Sequence, residues 1–484
     1  MLFRRIEDPL LAQYAYLVGC QRTKEALVID PERDVDRYIE AAAKEGLRIV
    51  AVTETHIHAD FLSGARDLAH RVGATAYLSA EGGDDWQYGW AGDAGIDVRL
   101  LRDGDTFRVG NVEVRAVHTP GHTPEHLAFL ITDHGGGADA PLGLVSGDFV
   151  FVGDVGRPDL LETAAGQVGT QEASARRLYA SLQQFLGLDG YLLLWPGHGA
   201  GSACGKALGA VPVSSVGYEQ RFNAAVEAAR RGEGAFVRHI LEGQPDPPLY
   251  FGRMKRVNRD GPPRLDGLPQ PHALGAEALD ELVGRDDLVV LDTRPRAAFV
   301  AGHLPGALHC PLGSQFPIVA GGYVEEGQAV ALVVDEADLD LAVRACVRVG
   351  TDRVEHWVPL EALEGYRDHG GHLAALDAID FEDVEAMRAR PDVAVLDVRQ
   401  RSEFAAGHVP GALHAPHARL PEHKDALPRE KTLLVHCQSG VRSAVAAAYL
   451  EREGFDVRYV AGAFPAWARA HPDAVVREAE EQPA

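Results

Sequence analysis

Two segments of this chain repeat one another in register. VVLDTRPRAAFVAGHLPGALHCP begins at Val289 and AVLDVRQRSEFAAGHVPGALHAP begins at Ala394. Asp292 and Asp397, His303 and His408, and Pro305 and Pro410 each stand 105 residues apart. That period is too long for a solenoid unit, so it reads as duplication of a whole domain. Each copy has a short apolar strand (Leu288–Asp292; Val393–Asp397), a Pro-Gly turn, a second strand (Ala329–Val334; Thr432–His436) and a helix (Leu339–Val349; Val441–Gly454). Strands alternating with helices predict a parallel α/β sheet in each copy.

The first half is patterned differently. Short strands such as Ala26–Asp30, Ile49–Thr53, Val112–Val117 and Leu142–Val145 are separated by Gly, Pro and Asp turns. Amphipathic helices are predicted near Asp34–Glu45, Gly64–Val72 and Ala173–Leu186, so the expectation is a layered β-sandwich with helices outside. Between Gly243 and His272 the runs PDPP, GPPR and LPQP mark a semi-rigid linker. The resulting partition is 1–245, a linker at 246–273, a first repeat at 274–373 and a second at 374–484. A chain of 484 residues agrees with about three domains.

Acidic residues number 71 and basic residues 47, a formal balance of −24. Nucleic acid and anionic membrane surfaces are therefore poor partners. The five cysteines, at 20, 204, 310, 346 and 437, form no CxxC pair and are too few for a disulfide framework. Arg4, Arg5, Glu7 and Asp8 interrupt any signal-peptide pattern, and no apolar run is long enough to span a bilayer. The expectation is a cytoplasmic protein.

Four strand ends in the first half deliver metal-ligand residue types. THIHAD (Thr55–Asp60) follows one strand, HTPGHT (118–123) a second, SGD (146–148) a third and PGH (196–198) a fourth. A sheet gathers such loops at one edge, which makes the set more telling than any single histidine.

The set resembles the metallo-β-lactamase superfamily, an αββα sandwich with metal sites at one sheet edge. The common superfamily pattern is HxHxDH, and position 61 here is Phe instead of the last His, which weakens a dinuclear zinc site. The mononuclear persulfide dioxygenases of that superfamily use the first His, the His of PGHT and the Asp of the GD motif. Carried over, these imply His56, His122 and Asp148 as ligands. Two imidazoles and a carboxylate form the facial triad suited to one non-haem Fe(II), with three positions open for thiol persulfide and O2. His58, Asp60 and His198 then become outer partners that orient the ligands, while His118, His126 and His134 read as solvated or structural. GDFVFVGDVGRPDL (Gly147–Leu160) and YFGRMKRVNRDGPP (Tyr250–Pro263) extend the resemblance, and Arg157, Arg253, Lys255 and Arg256 could meet an anionic thiol carrier. Cys204 follows His198 closely enough to accept a persulfide transiently. The stretch around it is no P-loop, because its glycine spacing is wrong.

In the second repeat Cys437 stands after a strand and before a helix, with Gly440 for a tight turn and Arg442 at the helix start. Inward N–H groups of Gln438, Ser439, Gly440 and Val441, the helix N-terminus and Arg442 would stabilise negative charge there. The segment resembles the rhodanese family, whose active Cys sits in such a six-residue loop and carries sulfane sulfur. Phosphatase loops place five residues between Cys and Arg; here there are four. Aligning VALVVDEADLDLA with TLLVHCQSGVRSA sets Asp335 against Cys437 and Asp340 against Arg442, so the first copy reads as a rhodanese-like spacer without a nucleophile.

Together the resemblances imply oxidation of low-molecular-weight thiol persulfides to sulfite, coupled to sulfur transfer giving thiosulfate, in a chain that could form dimers or tetramers. The rival readings are a zinc-dependent thioester hydrolase of the glyoxalase II type and a non-enzymatic sulfur relay.

Overall fold

The computed structural model describes residues 1–163 and 169–477, so 478–484 of the second repeat lie outside the described residues. The chain divides into two compact units, Met1–Gly267 and Leu268–Ala484.

The first unit contains two six-stranded sheets. One runs in chain order through Leu2–Asp8, Gln13–Cys20, Glu25–Ile29, Arg48–Thr53, Thr75–Ser79 and Val98–Leu101. Its first two pairings are antiparallel and the remaining three parallel. The other is ordered Ser214–Ser215, Leu193–Pro196, Gly143–Gly147, Leu127–Asp133, Val112–His118 and Thr106–Val109.

Period-2 alternation sends each strand's residues to two different cores. Leu27, Ile29, Phe129 and Ile131 join a core between the sheets, with Val112, Val114 and Trp195. Ala26 and Val28 face outward onto Tyr38, Ala42, Leu68 and Ala69 of the helices Asp36–Lys44 and Ala65–Val72. Ala128 and Leu130 face Leu178, Leu182, Val226 and Phe236 on the other side. The layers are therefore helix, sheet, sheet, helix, the αββα sandwich the sequence pattern calls for.

The expected linker needs correction. Phe251–Asp260 is a helix, and Phe251, Met254 and Asn258 on one face of it are buried within the first unit. The surrounding prolines mask this helix, and its third buried residue is polar, so the apolar stripe is only two residues long.

The second unit carries the duplication. Each copy has a five-stranded, wholly parallel sheet. The orders are His272–Ala273, Val354–Val358, Ala329–Val333, Leu288–Asp292, Leu308–His309, and Ala378–Ile379, Val457–Val460, Thr432–His436, Val393–Asp397, Leu413–His414. The register corrects the sequence alignment by one residue. Asp292 pairs with Val333 as Asp397 pairs with His436, so Val334, not Asp335, stands where Cys437 does. Val334 is fully buried, and the first copy still has no thiol there. Among the described residues, no helix is long and apolar enough to cross a membrane.

Candidate metal centre and sulfur-transfer loop

Loops leaving Arg48–Thr53, Val112–His118, Gly143–Gly147 and Leu193–Pro196 converge at one edge of the sandwich. His56, His122 and Asp148 are buried there, and one ligand atom from each lies within 4.8 Å of the others. Asp148 Oδ2 is 3.9 Å from His56 Nε2 and 3.5 Å from His122 Nε2. It is buried without a hydrogen-bond partner. An ionised oxygen left bare in a dry site is costly, and a cation among these three atoms removes that cost. The residues fit a single metal ion.

Local hydrogen bonds aim both rings. His122 Nδ1 donates to the Arg157 carbonyl at 2.9 Å, leaving the Nε2 lone pair toward Asp148. The Thr55 hydroxyl donates to Asp30 at 2.9 Å, so its oxygen accepts from His56 Nδ1 at 3.0 Å and frees that Nε2 as well. Burial pushes the pKa of His56 well below its ordinary value, helped by His58 and His122, and burial lowers that of His122 too. Neutral imidazoles are what a metal requires. Burial opposes charge on Asp148, but the rings of His198, His122 and His58 outweigh it and hold the carboxyl well below the usual range.

The expected outer partners lie close by. His198 bridges two acids, with Nδ1 2.8 Å from Asp148 Oδ1 and Nε2 2.8 Å from Asp60 Oδ2. Burial disfavours its charge, yet those carboxylates raise its pKa well above the ordinary value. His58 donates from Nε2 to Asp30 at 3.1 Å, and although burial disfavours its charge, Asp30 carries its pKa up to about 9. Phe61 is buried with its ring 4.3 Å from that of His58. Asp60, His198 and Cys204 form a second group able to hold a cation. Burial, with Asp60 and Asp148 nearby, pushes the Cys204 thiol well up, which opposes the thiolate that a persulfide acceptor needs.

Two proposed carrier contacts are otherwise engaged. Arg157 is buried, its guanidinium gripped by both oxygens of Asp159 and by the Ala203 carbonyl, so it ties loops together and meets no solvent anion. Lys255 lies 3.8 Å over the Trp86 ring. Burial lowers its pKa to about 8 against the attraction of Glu125. Arg253 is partly buried on the same helix.

Sequence reasoning passed over two residues that shape the site, Asp30 and Asn258. Asp30, with φ of 52°, accepts from Thr55 N, Thr55 Oγ1 and His58. It closes a strand at the same sheet edge, which was its available signal. His126 is buried and accepts from the Asp148 amide at 3.1 Å, fixing the carboxylate's backbone. His118 bonds the Pro124 carbonyl and His134 the Ala138 carbonyl, both away from the cluster. Asn258 donates to the carbonyls of His58 and Phe61 and accepts from Ser63 N, latching the histidine loop.

In the second unit Cys437 is buried at the head of its loop, where Gly440 N donates to Sγ at 3.2 Å and Ser443 Oγ lies 3.5 Å away. Gly440 has φ of 86°, and the helix Val441–Arg452 starts beyond it. Gln438 lines a cleft of about 480 Å³ with Arg399, Phe464, Arg469 and Arg477. The charge expected from Arg442 is largely cancelled. Its two terminal nitrogens meet both oxygens of Glu403 at 2.6 and 2.8 Å. Arg399 is likewise clamped on Asp397.

The fold and site define a metallo-β-lactamase-fold metalloprotein joined to rhodanese-like domains. The metallo-beta-lactamase superfamily model matches residues 8–198, and the rhodanese-like domain model matches 275–333 and 380–470. The first rhodanese match stops at 333, on the strand before the missing thiol. A metallo-beta-lactamase structure from Staphylococcus aureus subsp. aureus COL is 36% identical, with a TM-score of 0.66 over 74% of this chain and 99% of that one. The chain belongs to the metallo-beta-lactamase superfamily. The mitochondrial persulfide dioxygenase ETHE1 of Bos taurus is 28% identical over 41% of this chain and 68% of its own length. A hydroxyacylglutathione hydrolase from Rhodospirillum rubrum is 32% identical over 36% of this chain and 61% of its length.

Proposed function

We propose that the chain oxidises a low-molecular-weight thiol persulfide to sulfite in its first unit and passes sulfane sulfur to sulfite at Cys437, making thiosulfate. The observation that carries this reading is the coexistence of two centres in one chain. One is a two-histidine, one-carboxylate cluster with a bare Asp148 oxygen; the other is a cysteine whose Sγ accepts from the Gly440 amide of its loop. In this reading His56, His122 and Asp148 hold one Fe(II), and His58, Asp60 and His198 fix the surroundings. The similarity to ETHE1 supports it. The rhodanese-like copies, 274–373 and 374–484, follow the oxidising unit, with the helix Phe251–Asp260 assigned to that unit. All five cysteines are free thiols, which suits a reducing cytoplasm.

Bound Fe(II) would supply the redox chemistry that joins O2 to sulfur. The net reaction is RSSH + O2 + H2O → RSH + SO3²⁻ + 2H⁺. The protein's part is to keep two neutral imidazoles and one carboxylate aimed at a dry site. At Cys437 the thiolate attacks the outer sulfur of a second persulfide, giving Cys–S–SH and RS⁻. The Gly440 amide, which points at Sγ, steadies the negative sulfur.

With persulfide and O2, the full chain is expected to form thiosulfate, and the Cys437→Ser variant to stop at sulfite. Undiminished thiosulfate from that variant would refute the sulfur-carrier assignment. A second reading, zinc-dependent thioester hydrolysis, draws on the Asp60, His198 and Cys204 group and the hydrolase relative. Phe61, which takes the place of a ligating histidine, counts against it.

A further inference from the structure

The copy without a loop cysteine touches the Cys437 loop. Arg296 opens the helix Arg296–Ala301 of the first copy, and its Nη1 donates to the Ser439 carbonyl at 2.9 Å. A Cβ built on Gly440 would lie 2.5 Å from that nitrogen, so the glycine leaves the guanidinium room against the loop. The Gly440 amide is the one aimed at Cys437 Sγ. Tyr459 OH donates to the Gly440 carbonyl at 3.1 Å and pins the next peptide of the loop from another side.

The loop's other arginines are neutralised, Arg442 by Glu403 and Arg399 by Asp397. Arg296 is not. Its 105-residue counterpart is Arg401, and the position matching Glu403 in its own helix is Ala298. Among the described residues Arg296 makes no ion pair, and the bond to Ser439 uses one of its five N–H donors. An uncompensated guanidinium at the rim of a sulfur-bearing loop is suited to a small oxyanion.

We propose that the first copy supplies half of the anion site: Arg296 binds sulfite, the dianionic sulfur acceptor, at the Cys437 loop. This rests on Cys437 being the sulfur carrier. The step is Cys437–S–S⁻ + SO3²⁻ → Cys437–S⁻ + S2O3²⁻. The sulfite lone pair forms a bond to the outer sulfur, the Sγ–S bond breaks and its electron pair returns to Sγ. No other oxidant or reductant is needed. Arg296 accounts for a duplicated domain that has lost its nucleophile yet lies against the active loop.

The test uses the full chain, loaded with persulfide, and two acceptors: sulfite and cyanide, the latter mostly neutral HCN near pH 7.5. Arg296→Ala is expected to raise KM for sulfite about tenfold, a change of about 1.4 kcal/mol. Turnover with cyanide should change less than about twofold, and Arg296→Lys should restore most of the affinity. Added salt should raise the wild-type KM for sulfite and leave that of the alanine variant nearly flat. The proposal is overturned if the sulfite KM of Arg296→Ala matches wild type or if both acceptors suffer equally. It also falls if Arg469→Ala, in the neighbouring cleft, carries the effect instead. Cys437→Ser is run alongside. If it still transfers sulfur, the carrier reading itself fails and takes the proposal with it; if it is dead while Arg296→Ala is unimpaired, only the arginine assignment fails.

Discussion

Replacing Asn258 by leucine removes three hydrogen bonds from the histidine loop while keeping side-chain bulk similar. Asn258 Nδ2 donates to the carbonyls of His58 and Phe61 at 2.8 and 2.7 Å, and Oδ1 accepts from Ser63 N at 2.9 Å. The side chain is 1% exposed, so water cannot replace it without disturbing the packing. A buried group left unpaired costs about 1–3 kcal/mol. Three such losses, partly shared because the loop can relax, give about 3–5 kcal/mol. With an urea slope of about 2–3 kcal/mol per M, the transition of the first unit moves down by roughly 1–2 M. Urea unfolding followed by tryptophan fluorescence reads this, since Trp86, Trp90 and Trp195 lie in that unit. Metal content per chain should fall alongside, because the latch holds the segment carrying His56. A loss under about 1 kcal/mol with unchanged metal content would refute the claim that this helix braces the metal loop.

Other outcomes follow from the same geometry. Asp148→Asn should release metal more completely than the tenfold-to-hundredfold weakening typical of losing an outer partner, about 1–3 kcal/mol; elemental analysis of the purified chain checks it. His436 is buried with both ring nitrogens unpartnered, and burial holds its pKa down to about 4 despite Asp397. The unfolded chain therefore takes up a proton below about pH 6.5 that the native state refuses until about pH 4. Stability of the second unit should fall across that window by up to about 1.4 kcal/mol per pH unit from this residue. In pH-dependent denaturation His436→Phe should reduce that slope by this residue's share, with His309 and His417 supplying the rest, and an unchanged slope would contradict the assignment. Gly440→Ala forces an L-residue to a φ of 86° and drives its Cβ to 2.8 Å from the Tyr459 hydroxyl. Sulfur transfer should drop at least about tenfold, given a conformational cost of roughly 1–2 kcal/mol before the clash. Steady-state transfer to cyanide measures it.

Much of this architecture was written in periodicities. Short strands broken by turns, with amphipathic helices between, predicted a layered sandwich, and the 105-residue offset announced two copies of one sheet. The candidate ligand types were legible because each follows an apolar strand, and the resemblance to the superfamily singled out His56, His122 and Asp148 among them. What escaped depends on partners distant in sequence. Asn258 lies 200 residues from His58 and is buried by hydrogen bonds, not by an apolar stripe. Asp335 was aligned with Cys437 by residue type, whereas ladder register, which no local pattern reveals, puts Val334 there. Arg157, Lys255 and Arg442 looked like free cations because sequence does not display the Asp159, Glu125 and Glu403 carboxylates that face them. Arg296 drew no notice for the opposite reason: it lies in the copy whose loop has no cysteine.

The most direct test of the account is oxygen uptake by the full chain reconstituted with Fe(II) and given glutathione persulfide. The account predicts persulfide-dependent consumption of O2 with sulfite appearing as RSH is released, and none from the His122→Ala variant. An iron-loaded chain that consumes no O2 with persulfide, while its zinc form hydrolyses a glutathione thioester, would contradict it.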